Sequence, residues 1–302
     1  MAIDIARILS STKDELSKTD ITKQALDALE TSKIKEVHIY GRRGPIQAAF
    51  TPHEIKEIGE MADCYPVIDP KDLELDQASQ DELHGVANSF RKKNFEILQS
   101  YTFQNSNNRK RKIVFHFKRT PVEIIGKERI EKVRFEINEL IGAAGQQSIK
   151  GTGQFEEINS GLFFTSIGYC GVPIAGVPFS HQKGIIPNRL GRVLNGETAI
   201  SGWYVSGWSG HGASGVIGTN KIRAEETVRS LSEDLQDLVP CENPSTEAVI
   251  KLLKDRNVEL INFIDWKKID AYEIMLGLKA GKSREKITEI PQMLSVAKGQ
   301  KG

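Results

Sequence analysis

Two adjacent arginines, Arg42 and Arg43, stand directly after a run of strand formers, Glu36-Val-His-Ile-Tyr40, inside the turn Gly41-Arg-Arg-Gly-Pro45. A guanidinium offers fixed parallel donors that match a phosphate. At the end of the second strand of a dinucleotide-binding fold, a carboxylate accepts the 2′-hydroxyl of NAD, whereas arginines accept the 2′-phosphate of NADP. No acidic residue ends this strand, which favours the phosphate. A solvated surface pair is the other reading of the same residues. A second constellation runs from Trp208 to Asn220, with Gly215-Val216-Ile217-Gly218-Thr219 where a helix is expected to begin. Backbone N–H groups at a helix start suit an electronegative ligand edge, such as the N1 and C2 carbonyl side of a flavin, and Trp208 suits packing on its rings. A plain glycine turn with Thr219 capping the next helix fits the spacing equally, and His211 reads as a solvent-exposed loop histidine. The third is the basic stretch Arg109-Lys-Arg-Lys112 with Lys118 and Arg119 nearby. It suits an acidic protein or a nucleic acid, but a solvated loop is the favoured reading. No helix-turn-helix, RNA-binding sheet motif or zinc module accompanies it.

The elements that must position these residues follow from periodicity. Ala2, Ile5, Ala6 and Leu9 recur at helical spacing, and a second helix fits Ile21 to Leu29 with Thr19 or Asp20 as cap. Thr51-Pro-His-Glu54 writes a helix start, with N-cap, proline at the first helical position and a capping-box glutamate, for a helix to about Met61. A strand is expected over Tyr65 to Asp69 and a helix over Glu82 to Leu98. Ile113 to Phe117, Val122 to Ile125 and Val133 to Ile137 read as a meander. Gly142 to Gln154 is the best boundary in the chain. Beyond it, Gly161 to Tyr169 reads as a buried parallel strand and Gly202 to Trp208 as another. A helix is expected from about Asn220 to Leu238, and Ser245 to Leu294 reads as mostly helical.

Bulk properties set the class. The 302 residues carry a net charge of +1, with 39% hydrophobic and 27% charged residues, an ordinary globular composition of one or two domains. Any charged partner must therefore meet a local patch. The three cysteines, Cys64, Cys170 and Cys241, show neither metal nor disulfide spacing, which fits a reducing compartment. No apolar run approaches the ~18 residues of a spanning helix. The N-terminus resembles neither a signal nor a transit peptide. A cytoplasmic protein is expected, or one of the mitochondrial matrix if the source is eukaryotic.

Taken together, the motifs resemble a family. Tyr40-Gly-Arg-Arg-Gly-Pro-Ile-Gln-Ala-Ala-Phe-Thr51 with Glu54 is similar to the NADP-binding segment of adrenodoxin reductase-type ferredoxin–NADP reductases. Ser166-Ile-Gly-Tyr-Cys-Gly-Val-Pro173 resembles their strand returning to the flavin domain. Gly207-Trp208 and Ser214-Gly-Val-Ile-Gly-Thr-Asn-Lys221 resemble their flavin-contacting segment. Trp266, Ile269-Asp270-Ala271 and Glu273 fit their C-terminal helix, and Ala2 to Leu9 fits the helix after their NADP glycine motif. The resemblance implies that Arg42 and Arg43 hold the 2′-phosphate, that Glu54 contacts NADP, and that Glu57 acts near the nicotinamide with a histidine of the flavin half. It implies that Trp208, Gly215, Val216 and Ile217 contact FAD, with Gly215 also near NADP. The family's basic, proline-containing loop after the tryptophan is replaced here by Ser209-Gly-His-Gly-Ala213.

The implied fold is α/β, an incomplete two-domain Rossmann-like flavoprotein. Its NADP-binding domain spans residues 1–157, without its first strand and glycine loop, and the C-terminal part of its FAD-binding domain spans 158–302. Neither the FAD pyrophosphate loop nor the NADP pyrophosphate loop of the family is read in this sequence, and the histidine partner of Glu57 is missing as well. The chain is accordingly expected to be a truncated product, a mis-set start or one half of a split gene. The implied activity is electron transfer from NADPH through FAD to a ferredoxin-like iron–sulfur protein, with no metal site on this chain, no nucleic acid and no membrane span. The alternatives are a non-catalytic remnant or split subunit that binds an acidic protein, and a glutamate-synthase-like oxidoreductase. A thioredoxin-reductase type is disfavoured by the lack of a Cys-x-x-Cys.

Overall fold

The computed structural model describes residues 1–85, 89–215 and 217–299. The chain divides into two compact units, one of residues 1–164 with 261–302 and one of residues 165–260.

The first unit opens with helix α1 (Ala2–Ser10), which buries Ile3, Ala6 and Ser10 at the spacing of one helical face. Helix α2 (Lys13–Ser17) follows with a complete Thr12/Glu15 capping box. Helix α3 (Lys23–Glu30) is capped by Thr22, not by Thr19 or Asp20. Thr19 is spent on the end of α2, where its hydroxyl donates to Leu16 O at 2.7 Å. Strand β1 (Glu36–Tyr40) leads through a 3-10 turn, Pro45–Gln47, to helix α4 (Pro52–Gly59), whose Thr51/Glu54 capping box forms as expected. Strand β2 (Cys64–Ile68) and helices α5 (Gln77–His84) and α6 (Ser89–Ser100) come next. The single helix expected over Glu82 to Leu98 is thus two. Asp76 starts the first by accepting from Ser79 N–H, and Gly85, a poor helix former, ends it.

Strand β3 (Arg111–His116) does not join a meander. It runs parallel between β1 and β2, giving the order β1-β3-β2. The β-branched and aromatic residues on one face of these strands meet Ile55 and Ile58 of α4 and Leu98 of α6 in one core with Cys64, Ile113 and Phe115. Ile55, Ile58, Leu98 and Ile113 are fully buried, each worth about 1.5–3 kcal/mol of transfer free energy. The antiparallel meander is instead β4 (Arg119–Ile125), β5 (Lys132–Ile141) and β6 (Ser148–Asn159). The Gly- and Gln-rich stretch of residues 142–154 therefore forms the β5–β6 turn and the first half of β6. Its glycines permit the left-handed turn at Gly142 and Gly145 and a positive φ at Gly153 next to the register shift.

In the second unit, Gly161 to Tyr169 (its first residues at the edge of the first unit) is not a strand. A parallel strand exists only by pairing. This run makes no ladder among the described residues, and Leu162, Phe164, Ile167 and Tyr169 are exposed. A small antiparallel sheet follows in order β7 (Asn188–Arg189), β8 (Arg192–Asn195) and β9 (Thr198–Tyr204), over a core of Ile186, Val193 and Val205. A short helix, α7 (Trp208–His211), precedes the long helix α8 (Ile217–Asp234). Helix α9 (Thr246–Asp255) ends the unit. Residues 261–299 return to the first unit as α10 (Phe263–Lys279), with an Asn262/Asp265 capping box, and α11 (Ile290–Ala297). The Arg284 guanidinium ties the segment after α10 back to Asp270 and Glu273 of that helix. No helix among the described residues is long and apolar enough to cross a membrane.

Candidate functional site

The carboxyl ends of β1 and β3 carry the arginine turn. Gly41 N–H donates to His116 O at 2.8 Å, Arg119 N–H to Gly41 O at 3.1 Å and Lys118 N–H to Arg43 O at 3.0 Å. The buried Asn138 amide of β5 donates to Arg42 O at 2.9 Å and to Thr120 Oγ1 at 2.8 Å. Every carbonyl from Gly41 to Arg43 is thereby held from within, as buried backbone requires. A Cβ on Gly41 would stand 3.0 Å from the Phe117 ring, so glycine lets the turn lie against that side chain. Both arginines are exposed, and neither guanidinium has a partner among the described residues. In open α/β sheets, ligands bind outside the carboxyl ends of parallel strands.

Glu54 accepts Thr51 N–H at 2.6 Å through Oε2, so part of its carboxylate is engaged in the cap. Glu57, one turn later, is paired with Arg7 of α1 at 2.7 Å and lies 3.7 Å from His53 on its own helix. The Arg7 pair was not foreseen from sequence, although Arg7 lies on the polar face of a strongly amphipathic helix.

A second unforeseen feature lies on the other face of the parallel sheet. His38 Nδ1 and His116 Nε2 are 2.9 Å apart. Their rings stack at 5.2 Å, Tyr40 stacks on His116 at 4.4 Å, and Phe135 of β5 stacks on Tyr40 at 3.8 Å. Burial, assisted by the nearby His38 and Arg119, holds His116 down to about 4. Burial likewise lowers His38 and raises the Tyr40 phenol. Asp72, buried beside Arg119, is raised by desolvation against the pull of that guanidinium.

The basic stretch at Arg109 is mostly turned inward. Arg109 donates to Cys64 O at 3.2 Å, Ser106 O at 3.2 Å and Asn105 O at 3.0 Å, and lies over the Tyr65 ring. Arg111 reaches Ser11 O at 3.3 Å and Asp63 at 3.8 Å, and Lys112 pairs with Glu36 at 3.0 Å. Of these four residues only the Lys110 side chain has no partner among the described residues. The stretch is a structural splice between α1, β2 and β3 and not the solvated loop expected.

In the second unit, Trp208 opens α7, half exposed, with its ring 6.0 Å from that of Tyr169 at 27°. Gly210-His-Gly-Ala-Ser-Gly215 has the spacing G-x-G-x-x-G between β9 and α8, but α7 interrupts it, so it is not the tight strand-to-helix turn that this spacing makes in a dinucleotide fold. Gly215 adopts φ +84°, and a Cβ there would fall 2.3 Å from Thr219 Oγ1. Helix α8 begins three residues earlier than expected, so Thr219 lies inside it and is not its cap. Val216 lies outside the described residues, and Ile217 is described only by its backbone, as the first residue of α8. His211 is not exposed as expected. Its Nε2 is buried without a partner among the described residues, as are Asn220 Oδ1 and Arg223 Nη1 at the start of α8. Buried polar atoms seldom stay unpaired. A half-exposed indole, a glycine approach and orphaned donors and acceptors around one helix start fit a planar ligand with a polar edge, which an isoalloxazine ring is. Among the described residues no cluster of three or more His, Cys, Asp or Glu could hold a metal ion.

Comparison with known proteins places the chain in a family. No family model matches the chain. NADPH-ferredoxin reductase FprA of Mycobacterium tuberculosis is 37% identical over 306 aligned positions, covering 99% of this chain and 66% of that protein. The mitochondrial NADPH:adrenodoxin oxidoreductase of Arabidopsis thaliana is 36% identical, covering 98% and 64%. A solved structure of M. tuberculosis FprA in complex with NADPH matches with a TM-score of 0.89 at 35% identity, over 98% of this chain and 65% of that one. The chain belongs to the adrenodoxin reductase type of ferredoxin–NADP reductase. It spans just under two thirds of the length of these relatives. Its mixed parallel and antiparallel α/β architecture is that of the dinucleotide-binding flavoprotein fold of this family.

Proposed function

We propose that this chain forms the NADP-binding part and the ring-facing FAD part of a ferredoxin–NADP reductase that passes electrons from NADPH to a ferredoxin- or adrenodoxin-like iron–sulfur protein. On this reading residues 1–157 serve NADP and residues 158–302 belong with the FAD-binding part. The single observation that carries it is the Arg42-Arg43 turn, whose carbonyls from Gly41 to Arg43 are all engaged inward while neither guanidinium has a partner among the described residues, at the end of a parallel strand. FAD, when bound, supplies acceptance of a hydride and release of electrons one at a time. Arg42 and Arg43 bind and orient the nucleotide through its 2′-phosphate. Glu54 offers its free carboxylate oxygen to the same ligand. Glu57 stands near the nicotinamide and is held in place by its ion pair with Arg7. Trp208 covers the flavin rings, while Gly215, Val216 and Ile217 meet their electronegative edge, where the N–H groups of a helix start suit negative charge. Three unpaired cysteines fit a reducing compartment such as the cytoplasm.

The test is a double substitution of Arg42 and Arg43 by Ala. Affinity for 2′,5′-ADP should fall by more than tenfold, because each charge-assisted contact is worth about 1.5–3 kcal/mol. Any preference for NADPH over NADH should shrink with it. Unchanged binding of 2′,5′-ADP would refute the assignment.

A further inference from the structure

The hairpin turn between β7 and β8 reaches both pieces of the flavin-facing loop. Leu190 and Gly191 both have positive φ, +50° and +85°, the left-handed pair of a two-residue hairpin turn. Gly191 is forced by packing as well, since a Cβ there would lie 2.5 Å from Thr227 Oγ1 of α8. At one end of this turn, Asn188 uses its whole amide. Its Oδ1 accepts Gly191 N–H at 3.3 Å, and its Nδ2 donates to Ile186 O at 3.0 Å and to Gly210 O at 2.7 Å. Ile186 N–H adds a bond to Ser209 O at 2.8 Å. Gly210 is buried, and a Cβ on it would stand 3.1 Å from Val205 and 3.2 Å from the Asn188 amide, so the loop carrying Trp208 is drawn tightly onto Asn188.

At the other end, Arg192 grips α8. Its guanidinium donates to Asp234 Oδ2 at 2.7 Å and Oδ1 at 2.8 Å, to Ser230 Oγ at 2.9 Å and O at 3.1 Å, and to Glu233 at 2.9 Å. Tyr204 donates to Asp234 at 2.8 Å, and Ser230 Oγ returns a bond to Leu190 O at 2.7 Å. An α-helix of 18 residues is stiff, so fixing its last turns fixes the place of its first. Five consecutive residues thus fasten the Trp208 loop and the helix that begins at Ile217 to one rigid turn.

We propose that Asn188 and Arg192 are positioning residues for the flavin-facing loop, and that the turn they flank sets the separation between Trp208 and the start of α8. The proposal rests on the reading of that loop given under Proposed function. Neither residue touches the ligand; they act by holding apart the groups that do.

The experiment uses the whole 302-residue chain with FAD as the probe, compared across Asn188→Asp, Arg192→Ala, Arg192→Lys and the exposed neighbour Arg189→Ala. Asn188→Asp keeps the size and the acceptor but removes both donors and faces a carboxylate toward the Gly210 carbonyl. FAD affinity should fall by about tenfold or more in Asn188→Asp and Arg192→Ala, recover in part in Arg192→Lys, and hold in Arg189→Ala. Binding of 2′,5′-ADP should stay within about twofold throughout, because it reports a different unit. Hydrogen exchange at residues 207–215 should speed up in Asn188→Asp. Wild-type FAD affinity and wild-type exchange in that variant would overturn the proposal, and so would equal loss of both ligands, which marks general unfolding. If the unaltered chain takes no FAD, the flavin reading fails instead, and the exchange measurement alone decides the clasp: faster exchange supports it and unchanged exchange overturns it.

Discussion

Acidification is expected to weaken the first unit through the His38–His116 pair. The facing nitrogens are 2.9 Å apart, so one must donate and the other accept, and a second proton has nowhere to go. The groups around the pair give little relief. Glu36 lies 3.3 Å from His38 Nε2 but is shared with Lys112. Asp72 lies 3.9 Å from His116 Nδ1 but is paired with Arg119, whose charge opposes protonation. Asp69 is the remaining anion that favours the proton, and Tyr40 covers the ring. His116 is thereby lowered from 6.5 to about 4. In the window between these values the unfolded chain binds the proton and the folded chain does not, so stability rises with pH there. The contribution is complete above about 6.5 and is lost as pH falls toward about 4. At about 1.4 kcal/mol per pH unit the full loss is about 3 kcal/mol, and partial solvent contact reduces it to about 2 kcal/mol. Urea denaturation at a series of pH values from neutral to about 4.5, on the wild type and on His116→Phe, isolates the term, since the carboxylates titrate in both. The variant should be less stable near neutrality, where His38 loses its partner, yet show a flatter profile. Parallel profiles for the two proteins would refute the reasoning.

Three further outcomes can be checked by thermal or urea unfolding. Arg109→Ala should cost about 1–2 kcal/mol by leaving three carbonyls and the Tyr65 face without their guanidinium; a neutral effect would return the stretch to the docking role. Gly215→Ala should destabilise by about 1–3 kcal/mol because of its positive φ and the contact with Thr219, and adding Thr219→Ala should recover only the contact part. Thr51→Ala should cost about 1 kcal/mol by opening the capping box of α4, and an unchanged midpoint would show that packing of Ile55 and Ile58 holds that helix without its cap.

The readable parts of the fold were those written locally. Thr51-Pro-His-Glu54 specifies its own helix start, because cap, proline and capping glutamate all act within one turn. Val37 and Ile39 announce a strand, and Gly41 to Pro45 announce the turn that ends it. Thr12 and Glu15 carry the same capping signature, but it was not read as a helix start. What stayed hidden depends on partners far along the chain. One of the three carbonyls that engage Arg109 belongs to Cys64, 45 positions away, and Arg111 and Lys112 reach Asp63 and Glu36, so four basic residues in a row read as surface. His38 meets His116 only because β1 and β3 pair in parallel with Tyr40 opposite His116, a register that neither strand specifies alone. The apolar run from Gly161 to Tyr169 has a strand's composition, but composition does not supply a neighbour to pair with.

The arginine turn shows the division of labour that makes a site visible before its ligand is. Two adjacent guanidinium groups repel one another, and neither has a partner among the described residues to offset it. The turn is held all the same, because Asn138, Lys118, Arg119 and the amide of Gly41 bind its backbone. Ordering is therefore supplied by the protein, and the side chains that would use it are left to the solvent. Binding an anion there would neutralise the repulsion without reorganising the chain, which is the condition under which a charge-assisted contact keeps most of its free energy. Asn188 repeats the pattern in the second unit, where an amide fastens the backbone of a loop and leaves Trp208 open. In both places the residues that fix position are buried or half-buried and pair with backbone, while those that would meet the ligand are exposed and make no hydrogen bond or ion pair through their side chains among the described residues. This contrast is a stronger pointer to function than charge or glycine content alone, because folding by itself gives no reason for it.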